Sequence, residues 1–344
     1  MFFLNVLNIM GIKNLTSFLK SNCPQAIKEI TLRDLEGKKV AIDISIFLYK
    51  FKYKSNNLIP KFVEQINKLR IHNITPIYIF DGIPSIEKKD VILDRKEKIN
   101  FKQKQIEELQ DSLKNETDIN KIYEIKTNIT KINRKILKVT KEDIASVKEL
   151  FNNLNIKYVR AEGEADFLCS KLCNKGIVDF VITEDMDLLT SGSKLLLRDF
   201  SITSNRAMLF NLDEILTGLN LSYEKWVELC IMFGCDYLKR INGIGPAKSL
   251  KLIRTFNNIN EIIDELKKKN TDIEEDYIDK FNNAKKKFME YDIGYLNCDL
   301  TKLVSIEPLF TNQKETIVNY LKSNTLLSEK QISNRIKNIY NNIC

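Results

Sequence analysis

Seven carboxylate residues lie in separate short stretches of the chain. Most of these residues come directly after an apolar run. They are Asp43 in VAIDIS, Asp81 in IYIFDG, Glu162 and Glu164 in AEGEAD, Asp185 and Asp187 in VITEDMD, and Asp236 in FGCDYL. Apolar runs of this length are typical of buried strands, so the acids are expected at the rim of a hydrophobic core. Converging carboxylates repel one another, and hard divalent cations with oxygen ligands relieve that repulsion. The pattern therefore predicts a Mg²⁺ or Mn²⁺ site.

Two divalent ions about 4 Å apart can activate a water and stabilise the leaving oxygen of a phosphodiester. The carboxylates therefore favour a metal-dependent phosphodiesterase. Single pairs remain open to another interpretation, because Glu162 with Glu164, or Asp185 with Asp187, could equally cap helices. The coincidence of all these segments in one chain favours the metal site.

A parallel sheet is predicted to position the acids. Val40–Ile44 and Pro76–Phe80 have the character of strands, and the segment between them, Pro60–His72, has helical spacing, which makes a βαβ unit. Further strands are expected at Lys157–Val159, Phe180–Thr183 and Lys194–Leu197, with helices at Ile144–Leu154 and Glu164–Asn174. In open α/β sheets, ligands bind at the carboxyl ends of the strands, where Asp43, Asp81 and Asp185 are expected.

A long insertion interrupts the sheet pattern over residues 86–142. From Ser85 to Glu162 the chain has no Gly or Pro, and it is rich in Lys, Glu, Gln, Asn and Ile at helical spacing. Two interpretations are open. The segment is a solvated helical hairpin, or it is a basic arch that closes over the site.

A third signal is the sequence Gly243-Ile244-Gly245-Pro246 between two helical segments, which is typical of a helix-hairpin-helix turn. Such a turn exposes backbone amides, and the helix that follows presents the positive end of its dipole, so phosphate of a duplex backbone is the expected ligand. Lys248 and Lys251, in the first turns of that helix, can add charge contacts.

Composition sets the remaining bounds. The chain has 344 residues, 43% of them hydrophobic, and a net charge of +8, which suits a polyanionic partner. Its seven cysteines include no CxxC pair and His72 is its one histidine, so a zinc site is not expected; Cys169 and Cys173 are expected in the core. Free thiols indicate a reducing, intracellular compartment. No run of 18 apolar residues is present, so we expect no membrane span.

Taken together, MGIKNLTSFL, EGEAD, TEDMDLLTSGS, GCDYL and GIGPAKSL, with the spacing of Asp43 and Asp81, resemble the flap endonuclease branch of the XPG/Rad2 structure-specific nuclease family. The resemblance covers Met10 to about Leu321 and includes the seven acids in order. It implies an α/β, PIN-like nuclease core with a helical arch and a helix-hairpin-helix lobe of the H2TH type.

The resemblance divides the chain into six parts. They are an N-terminal extension at 1–9 that could be absent from the mature protein, the two halves of the nuclease core at 10–85 and 143–222, the arch at 86–142, the duplex-binding region at 223–300, and a C-terminal segment at 301–344.

The resemblance also implies roles for residues. Asp43, Asp81, Glu162 and Glu164 would serve mainly one Mg²⁺ ion, and Asp185, Asp187 and Asp236 the other, with Mn²⁺ as a substitute and K⁺ as a further cation at the hairpin turn. Lys88 and Arg95, at the base of the arch, would steer the scissile phosphate and stabilise charge in the transition state. Tyr49 matches the aromatic residue of the family that stacks on a base, although it could equally be a core ring.

The implied substrate is branched DNA with a 5′ flap, cut at the flap base by a monomer that also has 5′→3′ exonuclease activity and acts in replication, repair and recombination. Sliding-clamp binding is doubtful, because no convincing clamp motif precedes the last residues, IYNNIC. The compartment would be the nucleus in a eukaryote, or a cytoplasmic replication site for a virus. Three alternatives remain: a 5′→3′ exonuclease of the same superfamily, a PIN-type RNA endonuclease, and a catalytically silent junction-binding scaffold.

Overall fold

A mixed sheet forms the centre of the protein. The computed structural model describes residues 11–83, 89–290 and 313–341, and within them the sheet has seven strands in the order β1-β7-β6-β5-β2-β3-β4. The strands are β1 (Ile27–Thr31), β2 (Lys39–Asp43), β3 (Thr75–Phe80), β4 (Tyr158–Arg160), β5 (Phe180–Ile182), β6 (Leu195–Ser201) and β7 (Arg206–Asn211). Strands β6, β5, β2, β3 and β4 run parallel, as the sequence predicts.

The antiparallel edge of the sheet was not predicted. Strand β7 pairs antiparallel with β6, and β1 pairs antiparallel with β7. In β1 the sequence IKEIT has no fully buried residue, so it lacks the apolar run that marks the central strands. The predicted parallel sheet is confirmed for the five strands beside this edge, and β7 and β1 extend it with antiparallel pairing.

Helices cover both faces of the sheet. Those before the insertion are α1 (Leu15–Asn22), α2 (Ile44–Lys54) and α3 (Ile59–Ile71). Those that follow it up to the end of the sheet are α4 (Lys89–Lys114), α5 (Ile119–Lys135), α6 (Lys141–Asn153), α7 (Ala165–Asn174), α8 (Asp187–Thr190) and α9 (Leu212–Leu219). The last group is α10 (Tyr223–Met232), α11 (Pro246–Thr255), α12 (Ile259–Lys268), α13 (Tyr277–Met289), α14 (Gln313–Asn324) and α15 (Glu329–Asn341).

The alternation of side chains along the strands separates two hydrophobic cores. Ala41, Ile77 and Ile79 face one core, whose other residues come from α1, α7 and α9 to α13. Val40 and Tyr78 face the other, which α2, α3, α6, α14 and α15 complete. Burial of each large apolar side chain contributes about 1.5–3 kcal/mol, so both faces hold the strands in place. The α10–α13 lobe therefore shares its core with one face of the sheet.

The order in which the chain adds parallel strands to the sheet reverses at β2, between β2 and β5. It passes from β2 to β3 and then to β4 on one side, and it returns through α7 to place β5 on the other side of β2. Such a reversal opens a crevice at the carboxyl ends of the two strands, which is the usual ligand site of an open α/β sheet. Asp43 and Asp185 follow these two strands.

The insertion forms a helical hairpin. Helices α4 and α5 pack against each other and are joined by residues 115–118. No residue of α5 is buried, and Phe101 and Tyr123 are 64% and 73% exposed. Near the end of α5, the guanidinium of Arg134 lies 5.5 Å from the ring centroid of Tyr53 at the end of α2. The predicted helical hairpin is thus present, with its returning end against the helix that follows Asp43.

Two smaller sequence predictions also have structural outcomes. Cys169 and Cys173 are buried free thiols of α7, which confirms that they pack in the core. In the described ranges, none of the helices combines the length and the apolar character needed to cross a membrane.

Candidate active site

The sheet brings six of the seven predicted acids to one edge. Asp43 ends β2 and Asp81 follows β3 directly, while Glu162 and Glu164 lie between β4 and α7, and Asp185 and Asp187 follow β5. Because β5, β2, β3 and β4 are adjacent and parallel, their carboxyl ends lie along one line. Asp236 comes from elsewhere, in the loop after α10.

Ser45 links the acids of the first two strands. Its backbone N–H donates to Asp43 Oδ1 at 3.0 Å, and its hydroxyl donates to Asp81 Oδ2 at 2.6 Å. One residue in the first turn of α2 therefore fixes two carboxylates, and sequence inspection alone did not mark it as part of the site.

Thr183 links Asp43 to the acids of β5. Its hydroxyl donates to Asp43 Oδ2 at 3.1 Å and accepts from the backbone N–H of Asp185 at 3.2 Å. Asp185 Oδ1 in turn accepts from the backbone N–H of Asp187 at 2.9 Å. A continuous hydrogen-bonded string, defined here as Asp81–Ser45–Asp43–Thr183–Asp185–Asp187, thus crosses the point where strand order reverses.

The amino-terminal segment completes the string. The backbone N–H of Ile12 donates to Asp187 Oδ1 at 2.7 Å, although the two residues are 175 positions apart. Gly11 has φ +83°, and a Cβ added to it would collide with Asp185 Oδ1 and Asp187 Oδ1. Gly11 and Ile12 are therefore packed directly on the acids, and at position 11 only glycine fits without displacing them.

The local environment opposes the ionisation of Asp43. Its side chain is 6% exposed, and its pKa is raised from its ordinary value mainly by burial and further by the charges of Asp81 and Asp185. The Thr183 hydroxyl and the Ser45 amide act in the opposite direction, since they donate hydrogen bonds to the carboxylate. Charge crowding of this kind is the electrostatic signature expected of a cation site.

Helix capping does not explain Glu164. It precedes α7, but its side chain makes no capping hydrogen bond. The N–H of Ala165, the first residue of that helix, instead donates to Asp81 Oδ1 at 2.9 Å. The Glu164 carboxylate is bound from another direction, by the Tyr237 hydroxyl at 3.3 Å from each of its oxygens. Glu162 is exposed and Asp236 is half-buried.

The donor chemistry of this edge fits a hard divalent cation. The donors are carboxylate oxygens, and Asp43 and Asp187 are buried where an unneutralised charge is costly. Within the residues that the structure describes, no three or more His, Cys, Asp or Glu side chains are already gathered into a closed metal cluster. The fit therefore rests on the donor set and its crowding.

The helix-hairpin-helix turn has the predicted local structure. Gly243 has φ +76°, and a Cβ added to it or to Gly245 would meet no atom within 4 Å, so the turn is open to a ligand. Ile241 and Ile244 are buried and anchor it, and Pro246 begins α11.

The two lysines after the turn are exposed on α11. The ammonium of Lys248 donates to the carbonyl oxygen of Gly243 at 2.9 Å, and Lys251 lies one turn further along the helix. Lys248 thereby braces the turn in addition to adding positive charge beside it.

The remaining predicted residues are Tyr49, Lys88 and Arg95. Tyr49 is 40% exposed on α2, which excludes the interpretation of a fully buried core ring. Lys88 lies outside the described residues. Arg95 lies within α4, and its side chain is outside the described part of the structure.

Comparison with known proteins gives the family. The XPG N-terminal domain matches residues 10–105 and the XPG I-region matches residues 155–236. Flap endonuclease 1 of Aedes aegypti is 33% identical to this chain over 348 residues, which cover 96% of this chain and 86% of the relative. Flap endonuclease 1 of Glossina morsitans morsitans is 34% identical over 286 residues, or 78% of this chain and 72% of the relative.

The chain belongs to the flap endonuclease branch of the XPG/Rad2 family. It is thus a structure-specific nuclease, and nucleases of this family are generally dependent on divalent metals. Among solved structures, the catalytic core of Rad2 in complex with DNA substrate has a TM-score of 0.69 at 19% identity, and the match covers 96% of this chain and 100% of that one. The likeness shows that this flap endonuclease shares the PIN-like fold of that core.

Sequence reasoning missed four residues of the flap endonuclease site: Gly11, Ser45, Thr183 and Tyr237. Each was inside a motif that was quoted. Ser45, Thr183 and Tyr237 act through hydroxyl groups whose partners are set by the fold, and Gly11 acts through its lack of a Cβ beside Asp185 and Asp187. The one usable signal was position, since Ser45 and Thr183 lie within two residues of predicted acids.

Proposed function

We propose that this chain cuts branched DNA at the base of a 5′ flap by metal-assisted hydrolysis of a phosphodiester. The observation that carries the proposal is the line of acids at four adjacent strand ends, in which the hydrogen-bonded string joins Asp81, Asp43, Asp185 and Asp187. Family membership supports the substrate class, and the acids support the chemistry.

The acids divide into two groups in this proposal. Asp43, Asp81, Glu162 and Glu164 would hold mainly one Mg²⁺ ion, and Asp185, Asp187 and Asp236 the other. Two such ions supply activation of a water and stabilisation of the leaving oxygen. Ser45, Thr183 and the Ile12 amide hold the carboxylates in position, and burial keeps competing water away from Asp43 and Asp187.

Other parts of the chain would position the DNA. The hairpin turn at 243–246, with Lys248 and Lys251 beside it, would bind phosphates of the duplex, with K⁺ as a further cation at that turn. The hairpin of α4 and α5 would enclose the 5′ single strand as an arch.

Three residues near the arch complete the proposal. Lys88 and Arg95 would steer the scissile phosphate, and Tyr49 would stack on a base beside it. In-line attack of water would leave a 5′-phosphate and a 3′-hydroxyl. The protein would act as a monomer where DNA is replicated, which in a eukaryote is the nucleus.

The proposal is tested by cleavage of a 3′-labelled double-flap DNA in Mg²⁺ and in EDTA, with a blunt duplex and a matched RNA strand alongside. Asp185→Ala should lower the cleavage rate by at least about a thousandfold while junction binding in EDTA stays unchanged, because the carboxylate acts on the chemical step. A single cut at the flap base that needs Mg²⁺ would support the proposal.

Three outcomes would contradict it. A ladder from the duplex end would indicate an exonuclease, and preferred cutting of the RNA strand would indicate an RNA endonuclease. Tight binding without any cutting would indicate a scaffold.

A further inference from the structure

Glu164 differs from the other acids in how its side chain is held. Asp43, Asp81, Asp185 and Asp187 are tied to one another by the hydrogen-bonded string, which runs through groups on the strand ends and the first turns of helices. Glu164 makes no capping hydrogen bond to α7, although it directly precedes that helix. A hydrogen bond from a residue outside the sheet reaches its carboxylate instead.

The hydroxyl of Tyr237 supplies such a contact. It lies 3.3 Å from Glu164 Oε1 and 3.3 Å from Glu164 Oε2, so its hydrogen bond is shared between the two carboxylate oxygens. The two residues are 73 positions apart, and Tyr237 immediately follows Asp236. One loop thus presents both a predicted metal ligand and a donor to a second one.

The backbone of this loop is fixed. The Cys235 N–H donates to the Leu238 carbonyl oxygen at 3.0 Å, and the two residues form an isolated antiparallel bridge around Tyr237. Leu238 is buried, which anchors the far side of the loop. This closed turn therefore fixes the direction of the Tyr237 side chain.

Helix α13 holds the ring of Tyr237. The ring packs edge-on against Phe288 with centroids 5.6 Å apart, and Phe288 is 2% exposed. The ammonium of Lys287 lies 4.9 Å from the centroid of the same ring. Helix α13 belongs to the lobe that carries the hairpin turn. Its contacts with the ring of Tyr237 therefore connect that lobe to Glu164 beside the sheet.

We infer that Tyr237 is a positioning residue that orients the Glu164 carboxylate for a divalent cation and takes its own position from α13 of the helix-hairpin-helix lobe. This inference rests on the proposed metal-dependent function. Hydrogen bonds from outside the coordination shell fix the orientation of metal-binding carboxylates, and their loss typically costs about 10–100-fold in metal affinity or activity.

The test measures Mn²⁺ binding by calorimetry in the absence of DNA, together with cleavage as a function of metal concentration. Tyr237→Phe keeps the ring and removes only the hydroxyl. We expect its half-saturating Mn²⁺ concentration to rise about tenfold. Cleavage should fall at limiting metal and recover at saturating metal, while junction binding in EDTA is unchanged. Tyr320→Phe is the matched control, because its hydroxyl donates to the Ser146 carbonyl oxygen on the opposite face of the sheet.

Two further variants sharpen the test. In a Glu164→Gln background, Tyr237→Phe should have little further effect on Mn²⁺ affinity, since two residues that act through one contact are not additive. Phe288→Leu removes the edge contact and should give a smaller shift in the same direction. No shift from Phe288→Leu would refute the part played by α13.

The results separate the two proposals. If the wild type binds no Mn²⁺, the metal site and the positioning role are both refuted. If the wild type binds Mn²⁺ and Tyr237→Phe binds it equally well, only the positioning role is refuted. An equal loss in Tyr320→Phe, or an undiminished effect in the Glu164→Gln background, would also refute it.

Discussion

The acidic edge of the sheet and the helix-hairpin-helix turn differ in how many parts of the chain build them and in how exposed their polar groups are. The edge gathers side chains from the ends of four strands and a backbone amide from the amino-terminal segment, and it buries Asp43 and Asp187 almost completely. The turn is built by one short segment, and its glycines face open space. Metal-dependent catalysis requires closely spaced carboxylates that are shielded from water and held by several elements of the fold. Binding to duplex phosphates requires mainly exposed backbone amides.

The two regions should therefore respond differently to substitutions of similar size. A change at the edge should impair catalysis and spare DNA binding. A change at the turn should do the reverse.

Among substitutions that leave the acids themselves unchanged, the largest effect is expected from Gly11→Ala. The added methyl group would collide with the oxygens of Asp185 and Asp187, at a φ of +83° that alanine rarely adopts. Because a misplacement of about 1 Å can cost about 100-fold in rate, we expect a loss of at least that size in single-turnover cleavage.

Gly176→Ala is the matched control for Gly11→Ala. Gly176 has φ +67°, and a Cβ there would meet no atom within 4 Å, so this variant has the backbone strain without the collision. Equal rates for the two alanine variants would show that the amino-terminal segment does not support the acids.

A smaller catalytic effect is expected from Thr183→Val. This nearly isosteric change removes the donor to Asp43 and the acceptor for the Asp185 amide. We expect about a tenfold loss of cleavage at limiting Mg²⁺, with junction affinity unchanged.

Thr325→Val provides the comparison for Thr183→Val. Its hydroxyl is also buried, but it donates to the Leu321 carbonyl oxygen near the end of α14. A loss of cleavage as large in Thr325→Val would mean that global stability, and not the hydrogen-bonded string, is responsible.

The smallest effect on cleavage at saturating DNA is expected from Gly243→Ala. Alanine at φ +76° costs about 1 kcal/mol or more in stability, and the distorted turn should bind duplex more weakly. Filter binding across a range of salt concentrations measures the loss.

Gly37→Ala separates strain from recognition in that experiment. Gly37 has φ +72° and equally open surroundings, so its stability loss should be similar. Unchanged duplex affinity in Gly243→Ala, or the same loss in Gly37→Ala, would remove the turn from the DNA-binding surface.

The sequence predicted those features that local patterns encode. The strands around Asp43, Asp81 and Asp185, the helices at α3, α6 and α7, and the hairpin turn all follow from apolar runs, helical spacing and glycine chemistry. The helical character of the insertion also followed from its composition.

The features that the sequence analysis missed depend on contacts between residues far apart in the chain. Strand β1 was missed because this edge strand has no fully buried residue and no continuous apolar run, and β7 beside it has only two buried residues, Ala207 and Phe210. The contacts of Ile12 with Asp187 and of Tyr237 with Glu164 span 175 and 73 positions, and no local pattern reports such a pairing. The position of an acid can thus be predicted from a motif, whereas its supports require the fold.

The contact between Ile12 and Asp187 also has a consequence for biosynthesis. The ribosome makes the amide that completes the acidic edge 175 residues before it makes the acceptor. Until β5 has left the exit tunnel, the early part of the chain has no partner for that amide and no second group of acids. Contacts of such long sequence separation form late in folding, because the entropy of closing the loop must be overcome first. Nascent chains should therefore carry no nuclease activity before β5 has left the exit tunnel.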